Sequence, residues 1–570
     1  MSATPAKKQL TRRSLSRSRS PSPAVPSSTS DRRSSGGPAA APPPGIDECL
    51  RAFCWVWGLS QPLQLNRGSL TARGPFQLLQ AALCAGVAVW PSRWLLALAL
   101  VGRLCQFGLR MPYTFDSDVL QMLLNAAVLL HVLVSREGPA SQPLGATTRR
   151  MLGVFYVFAG GWKLNTSFLD YRYSCASTYF AQLIDAYVPL LGLAPSAELV
   201  ALAVQASPWL TLVLECSVGV TMLLADLSPR WGYLALVLAS ALHLGIDITP
   251  KPNNIASFSH ACGIAYMWFA PTGVAAAVQE VKASPLVAGA CYGTVGAAFL
   301  GLTIYAQQPE LLFEPGQMST LVWHRDLDLH AASHPMLTAL LFRALYLGGS
   351  CAATAVDTAT GLPMVTTAKT AGHHHQQPGR ASRLVSWVLV ATTFSWACLS
   401  IVFGVMEMNS PNMFSNVRLQ GGSNHLLLPT GLLQQAYYEG WQATENPFGG
   451  GIIRIEATDS TWINGMYPAE YTPVLTDGTQ QLLRDVGHSG RHFNSLITRV
   501  VGAFAVPSRP PGSAFVKYTL PAFEVRRLLK EARQHNESFS LEYSHLPGAV
   551  CVYLQGNLLF IFVLARCKIA

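Results

Sequence analysis

Arg149–Asn165, RRMLGVFYVFAGGWKLN, is an apolar run that opens on two arginines and closes on a single lysine, Lys163. Its periodicity predicts a helix with Lys163 in the last turn. An ammonium at the edge of hydrocarbon is costly unless it snorkels to the headgroups, pairs with an anion or gives up its proton. Desolvation disfavours the charged form of a lysine, and a neutral amine can act as a base. The competing reading is a helix-end lysine whose stem lies along lipid while its amine stays wet.

The rest of the chain fits a membrane setting. Of its 570 residues 50% are hydrophobic and only 12% are charged, too apolar and too long for one soluble domain. The 12 cysteines are scattered singly, with no CxxC pair and no Cys/His array of zinc-ligand spacing. They read as buried thiols, and no metal site is expected. The net charge of +10 owes much to the basic N-terminal tail, whose arginines have no stacking aromatics among them, so nucleic acid is not the expected partner.

Residues 1–45 are rich in Ser, Pro and Arg and nearly free of apolar side chains, the composition of a disordered tail. The positive-inside tendency puts that tail in the cytosol, with an organelle transit peptide as the compositional alternative. Residues 46–73 carry Ile46, Leu50, Phe53 and Trp57 on one helical face, the pattern of an interfacial helix or of an amphipathic helix packed on a bundle. A transmembrane bundle is expected over 74–306, a loop or insert over 307–382 and a further transmembrane helix over 383–406. The apolar runs centre near Leu83, Leu98, Leu124, Phe155, Leu212, Leu238, Ala265, Gly296 and Thr392, giving about eight or nine spans of roughly 20 residues each. Breaks are expected at Pro91, Pro112, Arg149–Arg150, Pro229 and Thr249–Asn254. The insert ends in the polar, His-rich HHHQQPGRASR, which reads as a solvated loop. Over 407–570 the alternating segments Ile452–Ala457, Ala514–Leu520 and Ser538–Ser544, with a helical pattern from Phe523, predict a small extramembrane α+β domain. The final run, VCVYLQGNLLFIFVLA, suits a buried strand or a membrane-associated end.

Several polar residues fall at membrane depth. Glu215 interrupts WLTLVLECSVGVTMLL and requires a partner inside the bundle. His243 lies four residues before Asp247, one helical turn away, where imidazole and carboxylate could hydrogen bond. His260 sits in the next helix, and Asp116 and Asp118 suit the start of a helix. Helix-packing hydrogen bonds explain such groups as well as a site does. After the last span, SPNMFSNVRLQGGSNHLLLPT gathers Asn416, Arg418, Asn424 and His425 around a Gly pair. That group suits binding of a polar or anionic headgroup, or a turn that satisfies its own backbone. No GxSxG, Walker loop, HExxH or dinucleotide fingerprint is present.

Taken in order, FYVFAGGWKLNTSFLD, LVLECSVGVTMLLADLSPRWGYLALVLASALHLGID and IASFSHACGIAYMWF resemble the membrane core of the vitamin K-dependent gamma-glutamyl carboxylases and of the wider HTTM domain family. The resemblance covers about Gly74 to Phe269, with a fainter echo at SPNMFSNVRL. It implies that Lys163 is the base that deprotonates a reduced vitamin K-like quinone, whose oxygenation drives removal of a glutamate γ-proton and addition of CO2. His243 falls where that family also has a histidine. The chain departs from the family where an assisting histidine is replaced near Phe115–Asp116, and its β-rich region is reduced. Nothing in the sequence marks a propeptide-binding surface, and fold is the safer inference than reaction.

The expectations are therefore a mainly α, polytopic bundle in the endoplasmic reticulum or another endomembrane, with the C-terminal domain in the lumen. The lipid bilayer and a lipid quinone are the expected partners. The first functional reading is a carboxylase-like enzyme with Lys163 as base, helped by His243 and Glu215. The second is a non-catalytic protein that binds or transports a lipid or small solute.

Overall fold

A computed structural model describes residues 46–63, 67–110, 116–135, 140–250, 256–306, 329–353, 379–399, 452–460, 475–488 and 518–546, with Ile463 and a few residues between 410 and 428. The basic tail, the His-rich stretch, the final apolar run and Asn416, Arg418 and Asn424 lie outside the described residues.

The fold is mainly helical. Fourteen helices come first: α1 (Glu48–Leu63), α2 (Arg67–Val89), α3 (Arg93–Arg110), α4 (Asp116–Val134), α5 (Ser141–Trp162), α6 (Thr166–Leu169), α7 (Cys175–Tyr187), α8 (Ala197–Leu224), α9 (Pro229–Ile248), α10 (Ala256–Tyr266), α11 (Pro271–Ala283), α12 (Pro285–Ala306), α13 (Leu329–Ala353) and α14 (Arg380–Phe394). All nine apolar centres fall in helices. Among the described residues, however, only α4, α8 and α9 are long and apolar enough to cross a membrane. Phe258–Phe269 and Pro271–Ala283, bent by 109°, make a fourth if they count as one broken span. By length and composition the described residues thus offer three or four candidate spans, and the expected eight or nine are not confirmed. These spans are compatible with membrane association. Their outward sides agree: on α8, Leu202, Trp209, Val213 and Val220 are all exposed, an apolar surface that water would not favour.

Three details differ from the sequence reading. No break occurs at Arg149–Arg150, which lie inside α5, because Asp226 pairs with both guanidinium groups at 2.7 Å and Arg149 also donates to the Trp268 carbonyl. The single carboxylate offsets one of the two charges at the bundle surface, and the helix runs on. The insert contains α13, whose Leu337, Leu341 and Ala344 are buried, at the i, i+4, i+7 spacing of one helical face. Helix α1 is buried around most of its circumference and packs within the bundle, with Trp57 donating to Asn125 and Trp55 to Tyr292.

The C-terminal region forms β1 (Ile452–Thr458), α15 (Asp477–Asp485), β2 (Tyr518–Pro521), α16 (Ala522–Gln534) and β3 (Leu541–Leu546). The strands make an antiparallel sheet in the order β2-β1-β3, with Ile453 opposite Leu520 on one side and His545 on the other. Val525, Leu528 and Ala532 of α16 are buried, and Val525 and Leu528 pack with Ile455 and Ile463 against the sheet. This is the α+β pattern that the alternating segments predicted.

What positions the centre of the bundle is the contact between α5 and α8. The two helices run antiparallel, and glycines let their backbones touch. A Cβ on Gly219 would lie 2.5 Å from the Val157 nitrogen, and one on Gly160 would lie 2.7 Å from Cys216 Sγ. Small residues at a helix crossing of this kind replace the hydrophobic drive that lipid cannot supply. Gly219→Leu should therefore push α8 off α5 and cost about 1–3 kcal/mol. Gly161→Ala, whose Cβ would meet nothing within 4 Å, should instead stabilise the helix slightly, by up to about 1 kcal/mol. Thermal unfolding in detergent of the two variants checks the opposite signs.

Candidate functional site

Lys163 is the C-cap of α5, one residue beyond its last helical position. It does not reach out to water. The residue is only 5% exposed, and its Nζ lies 2.7 Å from Oε2 of Glu215 on α8. The partner that the sequence requires of Glu215 is thus Lys163, delivered by the glycine-mediated crossing one turn away. Oε2 of Glu215 takes no hydrogen bond from any other described donor, so the two charges depend on each other. Nζ also donates to the Ala159 carbonyl at 3.3 Å and stands 5.8 Å from the Phe168 ring centroid.

The amine sits well inside the bundle rather than at its rim. Fourteen residues of helix separate Arg149 from Lys163, about 20 Å along the axis. Beyond the lysine the chain turns through α6 and resumes as α7, which runs on beside the N-terminal half of α8 and ends with Tyr187 donating to the Ile248 carbonyl at the end of α9. Helix α5, the turn and α7 together thus flank the long helix α8, with Lys163 at the break.

A broken helix inside a bundle exposes carbonyls that need donors. Here each of the last four in α5 has one. Ala159 O takes Lys163 Nζ, Gly160 O takes the Lys163 amide, Gly161 O takes the Leu164 amide, and Trp162 O takes Asn165 Nδ2. Asn165 does more: Nδ2 also donates to Ser415 O at 2.6 Å, and Oδ1 caps α6 by accepting from Phe168 N at 2.8 Å. The lysine and the asparagine are therefore the helix cap as well as the polar centre.

His243 belongs to a second cluster. It touches Tyr156, two turns before Lys163 on α5, through a hydrogen bond between Nε2 and the phenol oxygen. Nδ1 meets Ser259 Oγ at 2.9 Å, and Tyr156 and Tyr266 share a hydrogen bond of 2.5 Å. The Ser259 hydroxyl points to the His243 carbonyl at 3.4 Å, which leaves its oxygen to accept from Nδ1–H, so Nε2 accepts from Tyr156 and Tyr156 in turn from Tyr266. The expected pairing with Asp247 is not the one the ring takes, because α10 and α5 present hydroxyls to both nitrogens. Tyr156, Ser259 and Tyr266 are buried, and sequence reasoning missed them. The available signal was Tyr156 itself, a hydroxyl seven residues before Lys163 in an otherwise apolar helix. Asp116 is buried at the start of α4.

Of the candidate headgroup cluster, His425 is described, and it turns back onto α5. Nε2 donates to Gly161 O at 3.0 Å, Nδ1 accepts from the amides of Leu427 and Leu428 at 3.2 and 3.3 Å, and the ring packs edge-on to Trp162. An isolated bridge joins His425 to Asn165, and the Leu426 amide donates to Leu164 O. Burial holds the imidazole below its usual range, so the neutral Nε2–H form that these bonds require prevails at neutral pH.

A second histidine reaches the other end of the same turn. Following α15, His488 is buried and its Nε2 donates to Ser174 O, just before α7, at 3.0 Å. Leu483 of α15, with Leu475 and Val486 on either side of the helix, packs against Ala181 of α7 and Val204 of α8, and Asp185 accepts from the hydroxyls of Thr476 and Thr479. Gly478 is required there, since a Cβ would lie 2.0 Å from Asp185 Oδ1.

A family profile described as a domain of unknown function (DUF8388) matches residues 423–552, the part of the chain that holds His425, α15, His488, the sheet and α16. No curated protein and no solved structure matches the chain.

Burial pushes the His488 imidazole down to about 4, against the opposing effects of the Ser174 carbonyl and the Asp170 carboxylate. Undocked, the ring would titrate near the usual imidazole value of 6.5. The released state therefore binds the extra proton between these values, and docking weakens as pH falls from about 6.5 to 4, by up to about 3 kcal/mol. The protection factors of amides in 475–488, measured relative to intrinsic exchange at each pH, should fall over that window and stay constant above it, and His488→Gln should remove the dependence.

Proposed function

We propose that the chain is a multi-pass endomembrane enzyme that uses Lys163 as a general base toward an acidic, lipid-soluble substrate. The observation that carries this reading is the enclosed 2.7 Å pair of Lys163 and Glu215. In a site shielded from water, the ammonium can hand its proton to the carboxylate, leaving a neutral amine beside a neutral acid, since neither charge is solvated. The amine can then take a proton from a substrate hydroxyl brought up from the bilayer. Glu215 holds the displaced proton, and the cap formed by Ala159, Gly160 and Asn165 fixes where the amine points. His243 acts at one remove, by tying α9 and α10 to α5.

The sequence resemblance to the vitamin K-dependent carboxylases gives the substrate class, a reduced vitamin K-like quinone. One amine, one carboxylate and the Phe168 ring face fit an acidic hydroxyl on an apolar ring. When bound, such a quinone supplies the acidic hydroxyl and the reducing equivalents. Everything else falls to this chain's residues, which bind, exclude water and move the proton between Nζ and Oε2.

Purified protein given reduced vitamin K, dioxygen, bicarbonate and a glutamate-containing peptide should fix CO2 into the peptide, with the hydroquinone oxidised by the dioxygen. Lys163→Arg should lower that rate about 100-fold or more while the melting temperature holds, because guanidinium keeps its proton. Unchanged turnover in this variant would exclude Lys163 as base.

The second reading, a non-catalytic protein for a lipid or small solute, draws on the same closure: the ion pair and the Tyr156–His243 cluster satisfy each other as packing groups do. It predicts that Lys163→Arg is tolerated. It also predicts that Glu215→Ala, which strands a buried ammonium, costs about 3–5 kcal/mol.

In the proposed topology the N-terminal tail is cytosolic and the sheet region luminal. Asn536 of the Asn-Glu-Ser sequon is exposed, in a left-handed turn with φ 53°. Asn165 of the Asn-Thr-Ser sequon is fully buried with its amide engaged. Expressed in a glycosylating cell, the protein should carry glycan on Asn536 and not on Asn165. An Asn536 free of glycan in the wild type but modified after the topology is inverted would place the region in the cytosol.

A further inference from the structure

The turn that carries Lys163 is held from outside the bundle's own helices. It starts at the end of α5 and finishes at Ser174, and a histidine from the C-terminal region, His425 half-buried and His488 buried, grips each end. His425 binds the Gly161 carbonyl, two residues before the lysine, and His488 binds the Ser174 carbonyl, where α7 begins. Between them, Ser415 O accepts from Asn165, and Val417 and Leu428 pack on Trp162. The bundle supplies the Glu215 side of the site, and the C-terminal region supplies the side opposite the turn's backbone.

We propose that His425 and His488 are positioning residues for Lys163, and that the region matched by the domain of unknown function braces the lysine turn so that Nζ stays against Glu215. A turn of twelve residues between two helices has many backbone conformations, and fixing its two ends removes most of them. The Gly161 carbonyl lies at the break in α5, where it also takes the Leu164 amide, and the Ser174 carbonyl lies at the start of α7. His425 is suited to this because it donates and accepts at once: Nδ1 takes the amides of its own turn while Nε2–H reaches across. Lysine or arginine could donate there but could not accept. This inference concerns what holds the amine, and it stands whether or not Lys163 proves to be a base.

The test is amine accessibility in the full-length protein in nanodiscs. A membrane-permeant N-hydroxysuccinimide ester would be applied briefly at neutral pH, with modification at each lysine read by mass spectrometry. In the wild type, Lys163 should be protected while exposed Lys530 and half-buried Lys282 react. In the double variant His425→Ala/His488→Ala, labelling of Lys163 should rise at least about tenfold, as expected for a local opening, with Lys530 and Lys282 unchanged. His425→Gln, which keeps an amide donor for Gly161 O, should restore most of the protection in the His488 wild-type background, where His425→Ala does not. Lys163 that stays protected in the double variant overturns the proposal. A rise shared by all three lysines marks loss of the whole fold and also counts against a local brace. Lys163→Arg turnover is a separate measurement, so failure of the catalytic reading leaves this result readable.

Discussion

One ion pair between two antiparallel helices sets the constraints on the rest of the molecule. Two charges drawn out of water attract each other strongly only if they are held close, and either one alone would be severely unfavourable. Holding Lys163 against Glu215 needs α5 and α8 nearer than ordinary side chains permit, which is why Gly160 and Gly219 face backbone and sulfur rather than space. The salt links of Arg149 and Arg150 to Asp226 fix the same two helices some turns away. The helix pair is thus pinned by charge at two levels and closed by glycine between them.

The second constraint follows from where α5 stops. Ending a helix within a bundle is tolerable only when the freed backbone groups find protein partners, because hydrocarbon offers none. Lys163 and Asn165 fill that need for the last turn, while Leu426 and His425 add donors from a segment more than 250 residues later in the chain. The polar groups that make the site chemically interesting are the same groups that make the break stable. Substitutions here will rarely separate function from folding unless, like Lys163→Arg, they keep charge and length.

Much of this was legible in the sequence. The apolar runs placed nine helices, alternation placed the strands β1 and β3, and of the apolar positions Val525, Leu528, Leu529 and Ala532 in the helical pattern from Phe523 all but the half-buried Leu529 form the buried face of α16. Glu215 announced itself because a carboxylate in an apolar run demands a partner. What was not legible depended on which elements meet. His243 and Asp247 share a helical face, yet tertiary packing offers the imidazole Tyr156 and Ser259 instead, and such a choice carries no local signal. Asn165 read as a glycosylation sequon, although its amide is committed on every side. His425 stood out only as one of a polar group, and His488 not at all, because their carbonyl partners lie 264 and 314 positions away.

The depth of the lysine also changes what the site can do. At the rim of the bilayer an amine exchanges protons with water, and a neighbouring carboxylate would be a minor influence. About 20 Å along α5 from the arginine level, under a turn closed by Phe168 and braced from the C-terminal side, the carboxylate is the proton's nearest destination. Under the proposed base chemistry a proton leaving Nζ moves within the pair rather than into solvent, so the state of Glu215 decides whether the amine is available. It follows that charge at position 215 is as consequential as charge at 163: Glu215→Gln cannot receive a proton and also leaves the Lys163 ammonium without a counter-charge, so it removes the transfer step and weakens the packing together.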